Sequence, residues 1–232
     1  NTPVTHIHLS AIHFGKNDDN TSYIHLNDHQ PNDSIFDKVW QELEEAEKYD
    51  IKTILMVGGA GGAFENLFLN FNIYYPLLKE LILTKNIIKG IDLDIEEYVD
   101  LKDVKNFINK IKYDFGEDFI ITMAPVQSAI QDDYPGMGGF IYKDLYNSKE
   151  GKKIEYFNGQ FYNSYTEKAY TQVIENQYEP DKIVMGMISG ENFESELNKT
   201  FQKYNQKFGG VFIWEYFNSP IGWEKIVNKI MS

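Results

Sequence analysis

The stretch Ile87-Ile88-Lys89-Gly90-Ile91-Asp92-Leu93-Asp94-Ile95-Glu96-Glu97 decides the fold. β-Branched and apolar residues follow a glycine and alternate with acids, which is the period of a strand. Successive strand side chains point to opposite faces, so Asp92, Asp94 and Glu96 share one face and Ile91, Leu93 and Ile95 the other. Three carboxylates side by side cannot all stay ionised cheaply. At least one is expected to hold a proton near neutral pH, the condition a general acid needs. Two plainer readings compete. A strand with one acidic face is ordinarily half exposed to water, and three oxygen ligands would also suit calcium or magnesium. Against the first, flanking helical segments predict a parallel sheet buried on both faces, where a row of acids is pointless without chemistry. Against the second, no Asx-rich ligand loop accompanies the strand.

Outward from this stretch, strand and helix alternate. Val4 to Phe14 reads as a long apolar strand carrying His6 and His8 on one face; a zinc role lacks a third ligand at a recognisable spacing. Ser22 to Asn27 reads as a short extra strand. Asp33 or Ser34 caps a helix running to about Tyr49, and Ile51 to Val57 is a buried-type strand. Helices are expected at about Phe64–Lys85, Asp100–Phe115, Ser164–Gln177, Phe193–Lys207 and Trp223–Ile230. The strands between them are Phe119–Met123, Ile154–Asn163, Lys182–Ile188 and Gly210–Trp214. Val126 to Gly139 reads as loop. No linker or low-complexity segment divides the chain, so residues 1–232 are read as one domain. Such alternation predicts a (β/α) barrel, with a doubly wound sheet as the alternative.

Composition narrows the partners. The 35 acids against 22 bases give a formal charge of −13, which argues against nucleic acid and anionic membranes. No apolar run reaches the length of a membrane span. There is no cysteine, so disulfide and thiolate chemistry are excluded. The cluster Gly58-Gly59-Ala60-Gly61-Gly62 lacks the Lys-Ser/Thr of a phosphate loop, and its expected use is to let the backbone pass close to a ligand. The chain starts at Asn1 without an initiator Met, so a processed protein or a fragment is expected.

In a (β/α) barrel the active site lies at the C-terminal mouths of the strands. Those mouths carry Gly58 and Gly59, Asp94 and Glu96, Met123 and Gln127, then Gln160, Tyr162 and Asn163, and last Trp214 with Glu215. An indole face stacks on the apolar face of a pyranose while amides and phenols read its hydroxyls, so this set suits a sugar.

The run Gly90-Ile91-Asp92-Leu93-Asp94-Ile95-Glu96 resembles the D-x-x-D-x-D-x-E signature of glycoside hydrolase family 18, the chitinases and endo-β-N-acetylglucosaminidases. The resemblance extends over most of the chain. Thr5 to Leu9 is similar to the family's second strand, Gly58-Gly59 to the end of its third, and Met123-Ala124-Pro125 to its fifth. Gln160-Phe161-Tyr162-Asn163 is similar to its sixth strand and Gly210 to Trp214 to its eighth. The resemblance implies a (β/α)8 TIM-type barrel and a retaining, substrate-assisted mechanism needing no protein nucleophile and no cofactor or metal. It makes Glu96 the general acid, Asp94 the partner of the acetamido N–H, Asp92 the residue sharing a proton with Asp94, Tyr162 the group orienting the acetamido oxygen, and Trp214 the floor. Gln160, Asn163, Met123, Gln127, Gly58, Gly59 and Glu215 then fall among the substrate-binding positions.

Three features depart from the pattern. Lys89 stands at the signature's first Asp, a position expected deeper in the barrel, and Met56 stands where the third strand usually has Ser. The first strand is not found, so the barrel is expected to lack it or to have an atypical one, with another strand before Asn1 or Ser22 to Asn27 in its place. The expected function is hydrolysis of β-1,4 bonds in chitin or N-acetylglucosamine oligomers by a secreted monomer. The alternatives are an endo-β-N-acetylglucosaminidase acting on N-glycan cores and a non-catalytic chitin-binding or inhibitor protein on the same fold.

Overall fold

In the computed structural model, which describes residues 4–232, the acidic stretch forms strand β4, but the strand stops at Asp94. Glu96 lies two residues beyond it, in irregular chain. The hydrophobic partners of the acids are fully withdrawn from water: Ile91, Leu93 and Ile95 are 0, 1 and 2 % exposed. The described residues form two compact units, Val4–Ile121 with Met137–Gly139, and Thr122–Gly136 with Phe140–Ser232. Of the expected single domain, residues 1–3 lie outside the described chain.

The first unit contains β1 (His6–Lys16), β2 (Ser22–Leu26), α1 (Asp37–Glu47), β3 (Lys52–Gly58), α2 (Ala63–Leu69), α3 (Phe71–Thr84), β4 (Ile88–Asp94) and α4 (Leu101–Phe115). β1, β3 and β4 are parallel neighbours in that order. The expected extra strand is β2, and it is no barrel-type parallel strand. It folds back antiparallel on β1 over the register Ile12↔Leu26 to Lys16↔Ser22. The expected single helix Phe64–Lys85 is two. Asn70 leaves the helical region (φ −129°, ψ 45°), its N–H closing α2 on Asn66 and its carbonyl receiving the N–H groups of Ile73 and Tyr74. Behind β4 these helices build an aromatic core. The Phe107 ring meets Phe64, Phe68, Phe71 and Tyr75 edge-on at 5.9–6.3 Å. α4 forms because Val104, Phe107, Ile108 and Ile111 recur at helical spacing, with the Asp100 carboxylate capping the Lys102 N–H at 2.8 Å.

β5 (Ile120–Met123) begins in the first unit and ends in the second. The second unit continues with α5 (Gln127–Gln131), α6 (Tyr142–Tyr146), β6 (Tyr156–Gln160), α7 (Glu167–Glu175), β7 (Ile183–Ile188), α8 (Glu194–Tyr204), β8 (Val211–Trp214) and α9 (Trp223–Met231). β5 to β8 are parallel neighbours in chain order. The stretch read as loop, Val126 to Gly139, holds the short helix α5, with Ala129 and Ile130 buried. Tyr162 and Asn163 fall just past the end of β6 rather than inside it. Among the described residues no helix is long and apolar enough to cross a membrane.

Candidate active site

The acids come first because their surroundings are the least ordinary. β4 carries Asp92 and Asp94 at 2 and 6 % exposure, and the register sets Met56 of β3 opposite Asp92 and Gly58 opposite Asp94. Nδ1 of His8, on β1, lies 3.6 Å from Oδ2 of Asp92. The histidine noted in the sequence for zinc is thus a neighbour of an acid. Its companion His6 is pushed down to about 4, chiefly by burial, then by His8 and Lys52. Among the described residues no three His, Asp or Glu side chains are gathered as a metal site.

Glu96 is half-buried beyond the strand. Burial raises its carboxyl above the ordinary range, and the neighbouring Glu97 raises it further. Lys89, at the signature's first Asp, is not deep in the fold as expected. It is 42 % exposed, pairs with Glu47 at 2.6 Å and donates to the Asn86 carbonyl at 2.9 Å.

The glycine cluster follows β3, and the chain itself fills much of the room it leaves. A Cβ on Gly58 would stand 2.0 Å from the Asp94 carbonyl oxygen, and the Gly59 N–H donates to that oxygen at 2.8 Å. The Asp94 carboxylate lies beside Gly59, at 3.6 Å from where a Cβ would be. Next to Gly61 a cavity of about 720 Å³ opens, lined by His13, Gly15, Tyr23, His25, Asn27 and Asn66 among others. His13 meets the Ala60 carbonyl at 3.0 Å, and the Tyr23 and His25 rings stack at 3.8 Å. Sequence reading singled out none of these three rings as site residues. They share a hairpin whose antiparallel pairing no local pattern announces.

The second unit holds the remaining positions. Met123 ends β5, fully buried. Gln160 ends β6 and its amide donates to the Ala124 carbonyl at 2.8 Å, while Gln127 begins α5 and accepts the Ser164 hydroxyl at 3.2 Å. Tyr162 is half-buried with its ring edge-on to Phe212 at 6.3 Å. Asn163 takes a left-handed φ of 57° and donates its N–H to Glu191 at 2.6 Å. Trp214 ends β8 at 38 % exposure, large for an indole. Glu215 is held by its main chain: N–H donates to the Ser189 hydroxyl at 2.8 Å, and its carbonyl accepts the Ser219 hydroxyl at 2.7 Å. The structure therefore gathers Gly58, Gly59, Asp92, Asp94 and Glu96 around the ends of β3 and β4. It gathers Met123, Gln127, Gln160, Tyr162 and Asn163 around β5 and β6.

Neither a family model nor a curated protein sequence matches this chain. Solved structures do. The chitinase ChiC from Aspergillus fumigatus is 30 % identical at a TM-score of 0.86, over 100 % of this chain and 90 % of that one. The chain belongs to glycoside hydrolase family 18. A fungal endo-β-N-acetylglucosaminidase of that family is similar at 28 % identity and a TM-score of 0.84, over 99 % of this chain and 88 % of that one. A family 18 chitinase from Pseudoalteromonas aurantia, 16 % identical at a TM-score of 0.72 over 99 % of this chain and 93 % of that one, shares the fold. This family 18 member is a glycoside hydrolase with the TIM-type fold expected from its sequence, its sheet mostly parallel. Its atypical element is the antiparallel β2.

Proposed function

We propose that this family 18 enzyme hydrolyses β-1,4 bonds between N-acetylglucosamine units of chitin and its oligomers, with retention and with Glu96 as general acid. The observation that carries the reading is the acid series at the end of β4. Two buried carboxylates lead into a half-buried third whose protonated form is favoured by its burial and by Glu97.

In this reading Glu96 gives its proton to the glycosidic oxygen as the bond to the anomeric carbon breaks. The carbonyl oxygen of the substrate's own N-acetyl group attacks that carbon and forms an oxazolinium ion. Asp94 accepts the acetamido N–H and offsets the growing positive charge, with Asp92 sharing a proton behind it. Tyr162 donates to the acetamido oxygen and holds it in line. Water then opens the ring, Glu96 now taking the proton back. Fixed charges aimed at a developing charge usually supply the largest catalytic term. Trp214, exposed at a strand end, offers an indole face to a pyranose, and Gln160, Asn163, Gln127 and Glu215 line the reacting unit. The cavity beside Gly61 lies within the size range of ligand pockets and takes further units of the chain. A polymer of this kind is met outside the cell, so we place the enzyme there, acting as a monomer.

A second reading, cleavage of the N-acetylglucosamine core of N-glycans, is supported by the similarity to the fungal endo-β-N-acetylglucosaminidase. One experiment tests both. Chitotetraose, chitohexaose and a high-mannose glycoprotein are incubated with wild type and Glu96→Gln, and products are followed by mass spectrometry. Shorter oligomers from wild type alone are expected. Glycan release with chitohexaose left intact would favour the second reading. Turnover by Glu96→Gln equal to wild type would remove Glu96 from its role.

A further inference from the structure

The general acid sits on no strand, since β4 ends at Asp94 and Glu96 belongs to the irregular segment after it. A group that must deliver a proton along one line needs its main chain held, and a segment outside the β-ladder needs another tie. The next residue provides one. Oε1 of Glu97 accepts the N–H of Phe64 and, at 3.2 Å, that of Glu65. These are first-turn N–H groups of α2, whose N-cap, Gly62, has no side chain to offer them.

The far end of this tie is firm. Ala63, Phe64 and Leu67 are all 0 % exposed, and the Phe64 ring meets Phe68 at 5.7 Å and Phe107 at 6.3 Å. On the other side of Glu96, the Asp94 carbonyl accepts the Gly59 N–H. The segment is thus fastened two residues before the acid and one residue after it. Between those two ties Ile95 is itself held in the core, at 2 % exposure. The second oxygen of Glu97, Oε2, is buried and has no hydrogen-bond partner. A carboxylate kept under that penalty is an expensive cap for a short helix.

We propose that Glu97 is a positioning residue for the general acid: its carboxylate ties the segment bearing Glu96 to the first turn of α2 and so holds the Glu96 carboxyl in line for proton delivery. The inference rests on Glu96 being the acid, as argued above.

The test compares two leaving groups. A sugar hydroxyl leaving chitotetraose needs protonation, whereas the phenolate leaving 2,4-dinitrophenyl β-chitobioside departs without it. Glu97→Ala is expected to lower kcat on chitotetraose by about tenfold to a hundredfold, with KM within about twofold, and to lower kcat on the dinitrophenyl substrate by less than about threefold. Glu97→Gln keeps an oxygen to accept both N–H groups and is expected to stay within about threefold of wild type on both substrates. Equal losses of Glu97→Ala on the two substrates would reduce Glu97 to general structural support and overturn the proposal. Undiminished turnover of chitotetraose would overturn it as well. Should Glu97→Ala not fold, Glu97→Asp, one methylene short of the N–H groups, is held to the same comparison. Glu96→Gln is measured alongside. Its loss on chitotetraose alone upholds the acid, whereas full activity would sink the reading of Glu96 and the Glu97 proposal with it, an outcome distinct from a failure of Glu97→Ala alone.

Discussion

Gly58→Ala tests whether the glycine cluster is there for the chain's own packing around the acids. Gly58 ends β3 at φ 101°, opposite Asp94. An added methyl would meet the Asp94 carbonyl oxygen at 2.0 Å and the Phe64 ring at 2.8 Å. Neither neighbour can step aside. The oxygen is main chain, held by the Gly59 N–H at 2.8 Å, and Phe64 is wholly buried. The positive φ alone costs a residue with a side chain about 1–3 kcal/mol. Parting the carbonyl from the Gly59 N–H inside the fold costs a further ~1–3 kcal/mol. A destabilisation of about 2–6 kcal/mol follows, a large share of the roughly 5–15 kcal/mol that keeps a typical domain folded.

The displaced oxygen belongs to Asp94 itself, so rate should suffer with stability. A shift of about 1 Å in such a group costs on the order of a hundredfold in kcat. Gly62→Ala is the control. It too has a positive φ, 70°, but nothing lies within 4 Å of its added carbon. Only the conformational cost of about 1–2 kcal/mol remains there, and kcat should hold within about threefold. Urea unfolding read by tryptophan fluorescence gives the stabilities, and initial rates on chitotetraose give kcat. Equal losses for the two variants, or a wild-type midpoint for Gly58→Ala, would refute the packing argument.

Two further outcomes follow from the site. Tyr162→Phe keeps the ring on Phe212 and loses only the hydroxyl, so it should fold normally and lose about tenfold to a hundredfold in kcat on chitotetraose, less than Glu96→Gln; an unchanged initial rate would deny Tyr162 its place at the acetamido oxygen. His6, lowered from 6.5 to about 4, binds its proton more weakly folded than unfolded, so its contribution to stability is present above pH 6.5 and is lost as pH falls toward 4. Its partial exposure discounts the effect to roughly 1–2 kcal/mol, and urea midpoints between pH 4 and 7 should fall less steeply in His6→Gln than in wild type.

What the sequence disclosed and what it hid divide along a physical line. The acids of β4 were legible because period-two alternation places Asp92 and Asp94 on one face whatever the rest of the chain does. The order of strands was legible for the same kind of reason, each one an apolar run between segments of helical spacing. The end of β4 was not. Nothing local distinguishes Asp94-Ile95 from the steps before it, yet the ladder stops where Gly58, the last residue of β3, runs out as a partner. The split at Asn70 was hidden because the apolar spacing continues on both sides of it. The antiparallel course of β2 depends on a turn, with Asn17 donating to the Thr21 carbonyl at 2.9 Å and Asn20 at φ 66°, that carries no Asn-Gly or Asp-Gly signal.

The supporting contacts were beyond reach for a different reason. Glu97 stands in plain view at the tail of the signature, but its partners are main-chain N–H groups 32 and 33 residues earlier, and no side-chain pattern encodes a main-chain partner. His8 reads as half of a metal pair because the sequence shows only His6 beside it, while Asp92, its neighbour at 3.6 Å, enters from another strand. Lys89 reads as a charge set among the acids. In three dimensions it turns to Glu47 on the surface, so its positive charge is met at the rim of the fold. The signature face is therefore defended by geometry at each of its odd positions. The lysine is drawn outward, a histidine comes in from β1, and the glutamate after the acid is tied to α2. A substitution in the motif changes this site only through where its side chain is allowed to point, and that is decided by residues the motif does not contain.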